Sequence, residues 1–384
     1  MSSSSIRPDC RTHVAVVLGT RPELIKMGPV IQALQKSAAR TTLINTGQHS
    51  DLLTPLFDLF QIHPDHDLAV MQAGQSLNQL GARLQERLDT VLATEQPDTV
   101  LVQGDTASAL MGGLTAFNRH IPVGHVEAGL RSGIADNPFP EEMNRRLVGR
   151  LATWHYASTE RNRQTLLAEG IDDSQIFVTG NPVIDALFQT RDHTRPGPAM
   201  QQVRERVGDH KIVLVTTHRR ENQSATMRQH LRSLRQFVES RPDICVVFPV
   251  HPSPSVKDAA AAELADIDRI HLIDPMGYSD FVHLLSDAWM VVSDSGGIQE
   301  EATALGKPML VLRANTERPE AVESGIARLA GDTQIDLTRL LSEAAADEAW
   351  FAHCQGGSPV FGDGTAARQI TELVIHGRRL AAVA

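Results

Sequence analysis

The chain has 384 residues, a formal net charge of −10 and 41% hydrophobic residues, which is typical of a globular protein with about two domains. This acidic balance disfavours extended contacts with nucleic acid or an anionic membrane surface, so an anionic ligand would need a local basic site. Three cysteines without metal-binding spacing indicate reduced thiols, and no apolar run is long enough to span a membrane. Because the start lacks a secretory signal, we expect a cytoplasmic protein with a disordered tail over residues 1–10.

Short Val/Ile/Leu-rich runs alternate with longer amphipathic stretches, as where HVAVVLGT (13–20) precedes the helix-like PELIKMGPVIQALQK (22–36). Continuous apolar strands between helices predict buried parallel sheets. Further runs of the strand type lie at 98–105, 121–129, 176–181, 211–218, 245–251, 269–275, 289–297 and 308–313.

The second half of the chain repeats the pattern of the first. TVLVQGDTASALMGGLTAFNRHIPVGHV and MVVSDSGGIQEEATALGKPMLVL both read strand, Asp, helix, Pro, strand. We therefore predict an α/β protein of two Rossmann-like domains, 11–190 and 205–364, facing across a cleft. The Pro- and Gly-containing stretch 189–202 is the natural linker. Ligands of such folds bind beyond the carboxyl ends of the strands.

The segment GTRPE (19–23) fits a helix start, with Thr20 as N-cap and Glu23 completing a capping box. Helix capping leaves Arg21 unexplained, and also Lys26, which stands in an otherwise apolar run. A buried lysine needs an anionic partner, so we expect both cations to face a phosphate or a carboxylate near the strand end.

Two carboxylates follow buried strands in the first half. Asp105, in QGDT, is either the N-cap of the next helix or a functional group. Glu127, in HVEAGLRSG, lies between a strand and a glycine beside His125 and Arg131, a position that favours function over a solvated surface.

The stretch NPFPEEMNRRL (137–147) places Glu141 and Glu142 in a predicted first helical turn, where acidic residues complement the helix dipole. Arg145 and Arg146 follow one turn later. They could pair with these glutamates or reach toward an anion.

Two segments of the second half predict an anion site. TTHRRE places His218 at a strand end together with two arginines, which supplies local positive charge. In SDSGGIQEEA, Ser295 is a candidate N-cap, and Gly296 and Gly297 leave the backbone N–H groups of the first turn open to a diphosphate. Glu300 or Glu301 could then accept hydrogen bonds from a ribose.

These motifs occur together and in order over residues 14–372, and the chain resembles the non-hydrolysing UDP-N-acetylglucosamine 2-epimerases. The motifs are GTRPELIKM, TGQH, GDT, PVGHVEAGLRSG, PFPEEMNR, VTGNPVIDAL, THRRE, DSGGIQEEA, LGKP, TERPEA and GDGTAARQI. The resemblance implies a GT-B-like fold whose last helix, 365–384, packs on the N-terminal domain. It also implies a homodimer with a UDP-sugar substrate and neither cofactor nor metal.

The reaction implied by the resemblance interconverts UDP-GlcNAc and UDP-ManNAc. UDP is eliminated to give 2-acetamidoglucal and then adds back. Carried over residue by residue, the implied catalytic groups are Asp105, Glu127, Glu141 and His218. The implied substrate-binding residues are Arg21, Lys26, Phe281, Ser295, Gly296, Gly297, Glu301 and Arg318. Proton exchange on two faces of C2 calls for more than one acid/base group, and the three carboxylates would supply them.

The chain departs from the family pattern at three positions that bear on function. Gln103 stands where many members have histidine. Asp51 and Gly74 replace a glutamine and an arginine with which many members bind a second UDP-GlcNAc as activator, so we expect such activation to be weakened or absent. The alternatives are a GT-B glycosyltransferase, a hydrolysing epimerase that releases ManNAc, and a catalytically silent nucleotide-sugar sensor.

Overall fold

The computed structural model describes residues 11–217, 225–331 and 337–381, so the predicted tail over 1–10 lies outside it. The chain divides into two compact units. The first consists of Met1–Ala186 with Gly364–Ala384, and the second of Leu187–Asp363.

The secondary-structure elements alternate between strand and helix over most of the chain. Up to the passage into the second unit, they are β1 (His13–Leu18), α1 (Arg21–Lys36), β2 (Arg40–Asn45), α2 (Ser50–Phe60), β3 (His66–Asp67), α3 (Leu77–Glu95), β4 (Thr99–Gln103), α4 (Ala107–Asn118), β5 (Val123–Ala128), α5 (Glu141–Leu151), β6 (Trp154–Ala157), α6 (Glu160–Ala168), β7 (Ile176–Val178) and α7 (Pro182–His193). The remaining elements are α8 (Pro198–Val207), β8 (Lys211–Thr216), α9 (Ala225–Ser240), β9 (Ile244–Pro249), α10 (Pro254–Leu264), β10 (Ile270–Ile273), α11 (Tyr278–Asp287), β11 (Met290–Ser293), α12 (Gly296–Leu305), β12 (Met309–Val311), α13 (Pro319–Glu323), β13 (Ala327–Leu329), α14 (Leu337–Ala346), α15 (Glu348–Cys354) and α16 (Ala366–Ala381).

The sheet of the first unit is parallel throughout, with strand order β3-β2-β1-β4-β5-β6-β7. All residues of β1, β4 and β5 are buried, as expected for strands covered by helices on both faces. Strand order reverses direction between β1 and β4. In doubly wound folds this is where ligands bind, at the carboxyl ends of the strands.

Two helices that begin at this edge, α1 and α4, test the N-caps that were predicted from the sequence. The predicted capping box of α1 is confirmed, since Thr20 and Glu23 exchange both hydrogen bonds. The N-cap of α4 is Thr106, whose side chain accepts from the N–H of Ala109. The alternative that Asp105 caps this helix is therefore wrong, and its carboxylate is left for other contacts.

The sheet of the second unit is also parallel and repeats the winding, with strand order β10-β9-β8-β11-β12-β13. Its core is lined by fully buried apolar residues such as Val213, Val246, Phe248 and Val292. The reversal falls between β8 and β11, so α12 begins next to the switch point. Two parallel sheets, one in each unit and each joined by helices, confirm the predicted α/β fold class.

The C-terminal helix belongs to the first unit, as the resemblance implied. Helix α16 packs against α1, and the N–H of Ala367 near its start donates to Asp185 Oδ1 at 2.9 Å. No helix among the described residues is both long and apolar enough to cross a bilayer.

Candidate functional site

Glu127 has an unusual backbone conformation near the carboxyl end of β5. Its φ is +64°, in the left-handed region that residues with side chains rarely adopt, and the β5–β6 register shifts between Val126 and Ala128. Such a conformation costs about 1–3 kcal/mol and persists only where surrounding contacts fix it. Glu127 is nevertheless 8% exposed, so its carboxylate is held inside the protein.

This carboxylate accepts hydrogen bonds from Lys26, Asn181 and Gln103. Lys26 Nζ lies 2.6 Å from Oε1 and 2.7 Å from Oε2 of Glu127. Asn181 Nδ2 donates to Oε1 at 3.0 Å, and Gln103 Nε2 donates to Oε2. The donors come from α1, from the loop after β7 and from the end of β4. The expectation that Lys26 faces a carboxylate is met, and a buried negative charge has a paired cation.

Asp105 follows β4 by two residues and is held differently. Arg145 of α5 donates to Asp105 Oδ2 from Nε at 2.9 Å and also from Nη2, and Asn144 Nδ2 donates to the Asp105 carbonyl at 2.8 Å. Burial raises the pKa of the Asp105 carboxyl above its ordinary value, against the opposing effect of Arg145. A carboxyl with a raised pKa is better suited to take up and return a proton near neutral pH.

Helix α5 begins at Glu141, which is half-buried, and continues with the fully buried Glu142. Glu142 accepts from the N–H of Ser132 at 2.9 Å and pairs with Arg146 at 2.7 Å and Arg145 at 3.4 Å. The sequence left open whether the arginines pair with the glutamates or reach toward an anion. Arg146 pairs with a glutamate, Glu142. Arg145 joins Glu142 to Asp105. Glu142 thus has a structural role, which leaves Glu141 as the candidate for chemistry.

Glu23 ties the β1–α1 loop to the β4–α4 loop. It accepts from the N–H groups of Gly19 and Thr20 at 3.0 and 2.8 Å and from the Thr106 hydroxyl at 2.6 Å. Burial raises the pKa of Glu23. The contact joins the loops on the two sides of the switch point, beside Arg21, which begins α1 and is half-buried.

His125 is a buried neutral side chain of β5 that contacts the β4–α4 loop. Burial lowers its pKa to about 3, and its Nε2 lies 2.8 Å from the carbonyl of Gly104, so Nε2 carries the proton that is donated. This hydrogen bond fixes the residue before Asp105. Arg131, which the sequence placed beside Glu127, is instead paired with Glu169 at 2.8 Å.

In the second unit, α12 begins at Gly296 and its N-cap is Ser295, as predicted, but the Ser295 side chain makes no capping hydrogen bond. A Cβ on Gly296 would lie 2.7 Å from Nη1 of Arg318, whereas a Cβ on Gly297 would have no protein atom within 4 Å. Gly296 therefore admits the guanidinium of Arg318, and Gly297 leaves open space. The first N–H groups of a helix lack intrahelical partners and attract anions.

Arg318 is 7% exposed and donates to Glu300 Oε1 at 2.9 Å and to Glu317 Oε2 at 3.1 Å. Glu301 is also buried and accepts from the Tyr278 hydroxyl at 3.0 Å. Tyr278 begins α11, which also carries the half-buried Phe281. The structure thus places Arg318 against Gly296 at the start of α12, while Glu301 lies further along the same helix.

Comparisons with known proteins identify the family of this chain. The sequence model of the family described as UDP-N-acetylglucosamine 2-epimerase matches residues 32–375. The UDP-N-acetylglucosamine 2-epimerase of Escherichia coli K12 is 42% identical over 95% of this chain and 99% of its own. The chain belongs to the UDP-N-acetylglucosamine 2-epimerase family.

Solved structures of such epimerases share the fold. The enzyme from Neisseria meningitidis bound to UDP-GlcNAc superposes with a TM-score of 0.88 at 38% identity, covering 94% of this chain and 99% of that one. The Methanocaldococcus jannaschii enzyme, in complex with UDP-GlcNAc and UDP, gives 0.81 at 32% identity, covering 95% and 100%.

The structure shows residues of this epimerase family member that sequence reasoning did not assign to the site. Gln103 was noted only as a departure from the family, and Asn181 only as part of a motif, yet both bond to Glu127. Gln103 ends β4, and Asn181 lies in the short loop between β7 and α7, so both polar residues stand near the carboxyl ends of strands, which is the signal that could have found them. His218 lies outside the described residues. Among the described residues, no group of three or more His, Cys, Asp or Glu could hold a metal ion.

Proposed function

We propose that the protein interconverts UDP-GlcNAc and UDP-ManNAc by elimination and re-addition of UDP, without hydrolysis. The observation that carries the proposal is the pair of carboxylates at the carboxyl ends of β4 and β5, buried at Glu127 and half-buried at Asp105, in a chain of the epimerase family. Glu127 is ion-paired to Lys26, whereas burial raises the pKa of Asp105. Two carboxyl groups in different environments suit the two proton transfers that inversion at C2 requires.

In the proposed reaction, the bond between C1 and the diphosphate oxygen breaks and the proton at C2 leaves. The products are UDP and 2-acetamidoglucal. A proton then returns to the opposite face of C2, and UDP adds to C1, so atoms and charge balance. The C2 hydrogen is not acidic in the substrate, so we expect C1–O cleavage to run ahead of deprotonation. We assign the proton transfers to Asp105, Glu127 and Glu141.

The diphosphate is assigned to the start of α12 in the second unit. The open space at Gly297, the N–H groups of the first turn and the buried cation of Arg318 together suit an anion that bears more charge as it leaves. Phe281 and Glu301 are the proposed contacts for the rest of the nucleotide. Arg21 and His218 are proposed to stabilise the leaving UDP.

Incubation of the protein with UDP-GlcNAc alone in D2O tests the reaction and separates the alternatives. We expect UDP-ManNAc that carries deuterium at C2, observed by NMR. Release of free ManNAc would instead show a hydrolysing epimerase. Unchanged substrate would contradict the proposal and favour a glycosyltransferase, which needs an acceptor, or a silent sensor.

The carboxylates are tested by Asp105→Asn, Glu127→Gln and Glu141→Gln, with Asp89→Asn as a matched control. Asp89 is paired with Arg119 on the surface. Loss of an acid/base group lowers rates by about 10²–10⁴-fold, so we expect C2 exchange to fall by about 100-fold or more in the three variants and to persist in the control. The accumulation of free glucal shows which variant fails in proton return. Undiminished exchange in all three would rule out the assignment.

The glycine turn is tested by UDP affinity, measured by isothermal titration calorimetry. An added methyl at Gly297 meets no protein atom, so Gly297→Ala should keep the thermal stability of the wild type and weaken UDP binding by about tenfold or more. Gly81→Ala in α3 is the control, since its Cβ would make only ordinary contacts with Met111. Unchanged affinity in Gly297→Ala would refute this diphosphate site.

We also propose that the protein is a homodimer. Helices α4 and α5 pack together, and both expose large apolar side chains, of which Phe117 is 55%, Met143 42% and Leu147 45% exposed. A second copy would cover them. Light scattering should give twice the mass of one chain for the wild type and a lower mass for the Met143→Glu/Leu147→Glu variant. A wild type that stays monomeric at micromolar concentration would contradict this.

A further inference from the structure

We propose that Gln103 and Asn181 are positioning residues that fix the plane of the Glu127 carboxylate for its reaction at C2. The inference rests on the proposed epimerase activity and names two residues that this activity does not by itself require. It is carried by the arrangement of donors: one amide bonds to each oxygen of Glu127, and each amide comes from a different segment.

Lys26 alone would hold the charge of Glu127 without setting its orientation. Its ammonium lies almost equally far from the two oxygens, at 2.6 and 2.7 Å, and ends a flexible four-carbon chain. Rotation of the carboxylate would preserve this ion pair. The amides of Gln103 and Asn181 each bond to a single oxygen and therefore resist that rotation.

Both amides are themselves held in place. Gln103 is 2% exposed, ends β4 and is in register with Val126, the residue before Glu127. Asn181 is fully buried, and its Oδ1 accepts from the N–H of Val183 at 3.1 Å. That bond commits the Oδ1 side of the amide, so the Nδ2 side faces Glu127. Neutral amides orient the carboxylate without adding a second cation, which would lower the affinity of the carboxylate for a proton.

Three variants separate positioning from mere packing. Gln103→Met keeps the length of the side chain and removes the donor. Gln103→His supplies a hydrogen-bond donor again, now a ring N–H, and adds a group that titrates. Asn181→Asp keeps the acceptor for Val183 and replaces the donor by an oxygen that repels Glu127. Gln32→Met is the control, since Gln32 donates to the carbonyl of Phe60.

The readouts are kcat and KM for C2 exchange over a range of pH. Loss of a hydrogen bond to a charged group predicts that kcat falls by about tenfold or more in Gln103→Met and in Asn181→Asp, with KM within about twofold of the wild type. Gln103→His should recover most of kcat near neutral pH and show an ionisation in the pH profile that the wild type and Gln103→Met lack. Wild-type kcat in both donor-deleted variants, or no new ionisation in Gln103→His, would overturn the proposal.

A crystal structure of Gln103→Met decides the same point without activity. We expect the Glu127 carboxylate to be rotated about its last torsion or to have recruited a water to Oε2. A carboxylate in its original orientation with no replacement donor would refute positioning. If the wild type shows no C2 exchange, the epimerase proposal fails, while this structure still tests whether the amides orient Glu127.

Discussion

The ion pair between Glu127 and Lys26 is the contact on which the candidate site of the first unit depends. A carboxylate that is 8% exposed cannot stay charged without compensation, and its backbone is in a conformation that residues with side chains avoid. Lys26, Gln103 and Asn181 supply that compensation from three segments. These contacts hold α1, the end of β4 and the residue before α7 at one edge of the sheet. The same contacts therefore stabilise the fold and form the candidate site.

The neighbouring carboxyl groups have different surroundings. Glu127 is surrounded by donors to both oxygens, whereas Asp105 has its arginine contacts on one oxygen and burial raises its pKa. Glu23 and Glu142 are buried as well, but they are occupied by backbone N–H groups and by neighbouring side chains. Burial alone therefore does not identify a reactive group. Asp105 differs in that it lies just after a strand end and, among the described residues, accepts its side-chain hydrogen bonds on Oδ2.

Much of this could be predicted from the sequence, because the signals are local or repeated. The buried apolar runs predict parallel strands, the capping box predicts the start of α1, and SGG predicts an open first turn of α12. Contacts between distant segments could not be predicted in this way. Gln103, Asn181 and Lys26 are 24, 54 and 101 residues from Glu127, and only the pairing of the strands brings them together. Arg131 shows the reverse, since closeness in sequence suggested a contact that Glu169 takes instead.

The charge state of the central ion pair can be observed directly by neutron crystallography of the deuterated protein at neutral pH. Our account predicts three deuterons on Lys26 Nζ, none on either oxygen of Glu127, and the amide deuterons of Gln103 and Asn181 directed at separate oxygens. A deuteron on the Glu127 carboxyl group, or amide oxygens turned toward it, would contradict the claim that these donors hold a buried anion in a fixed orientation.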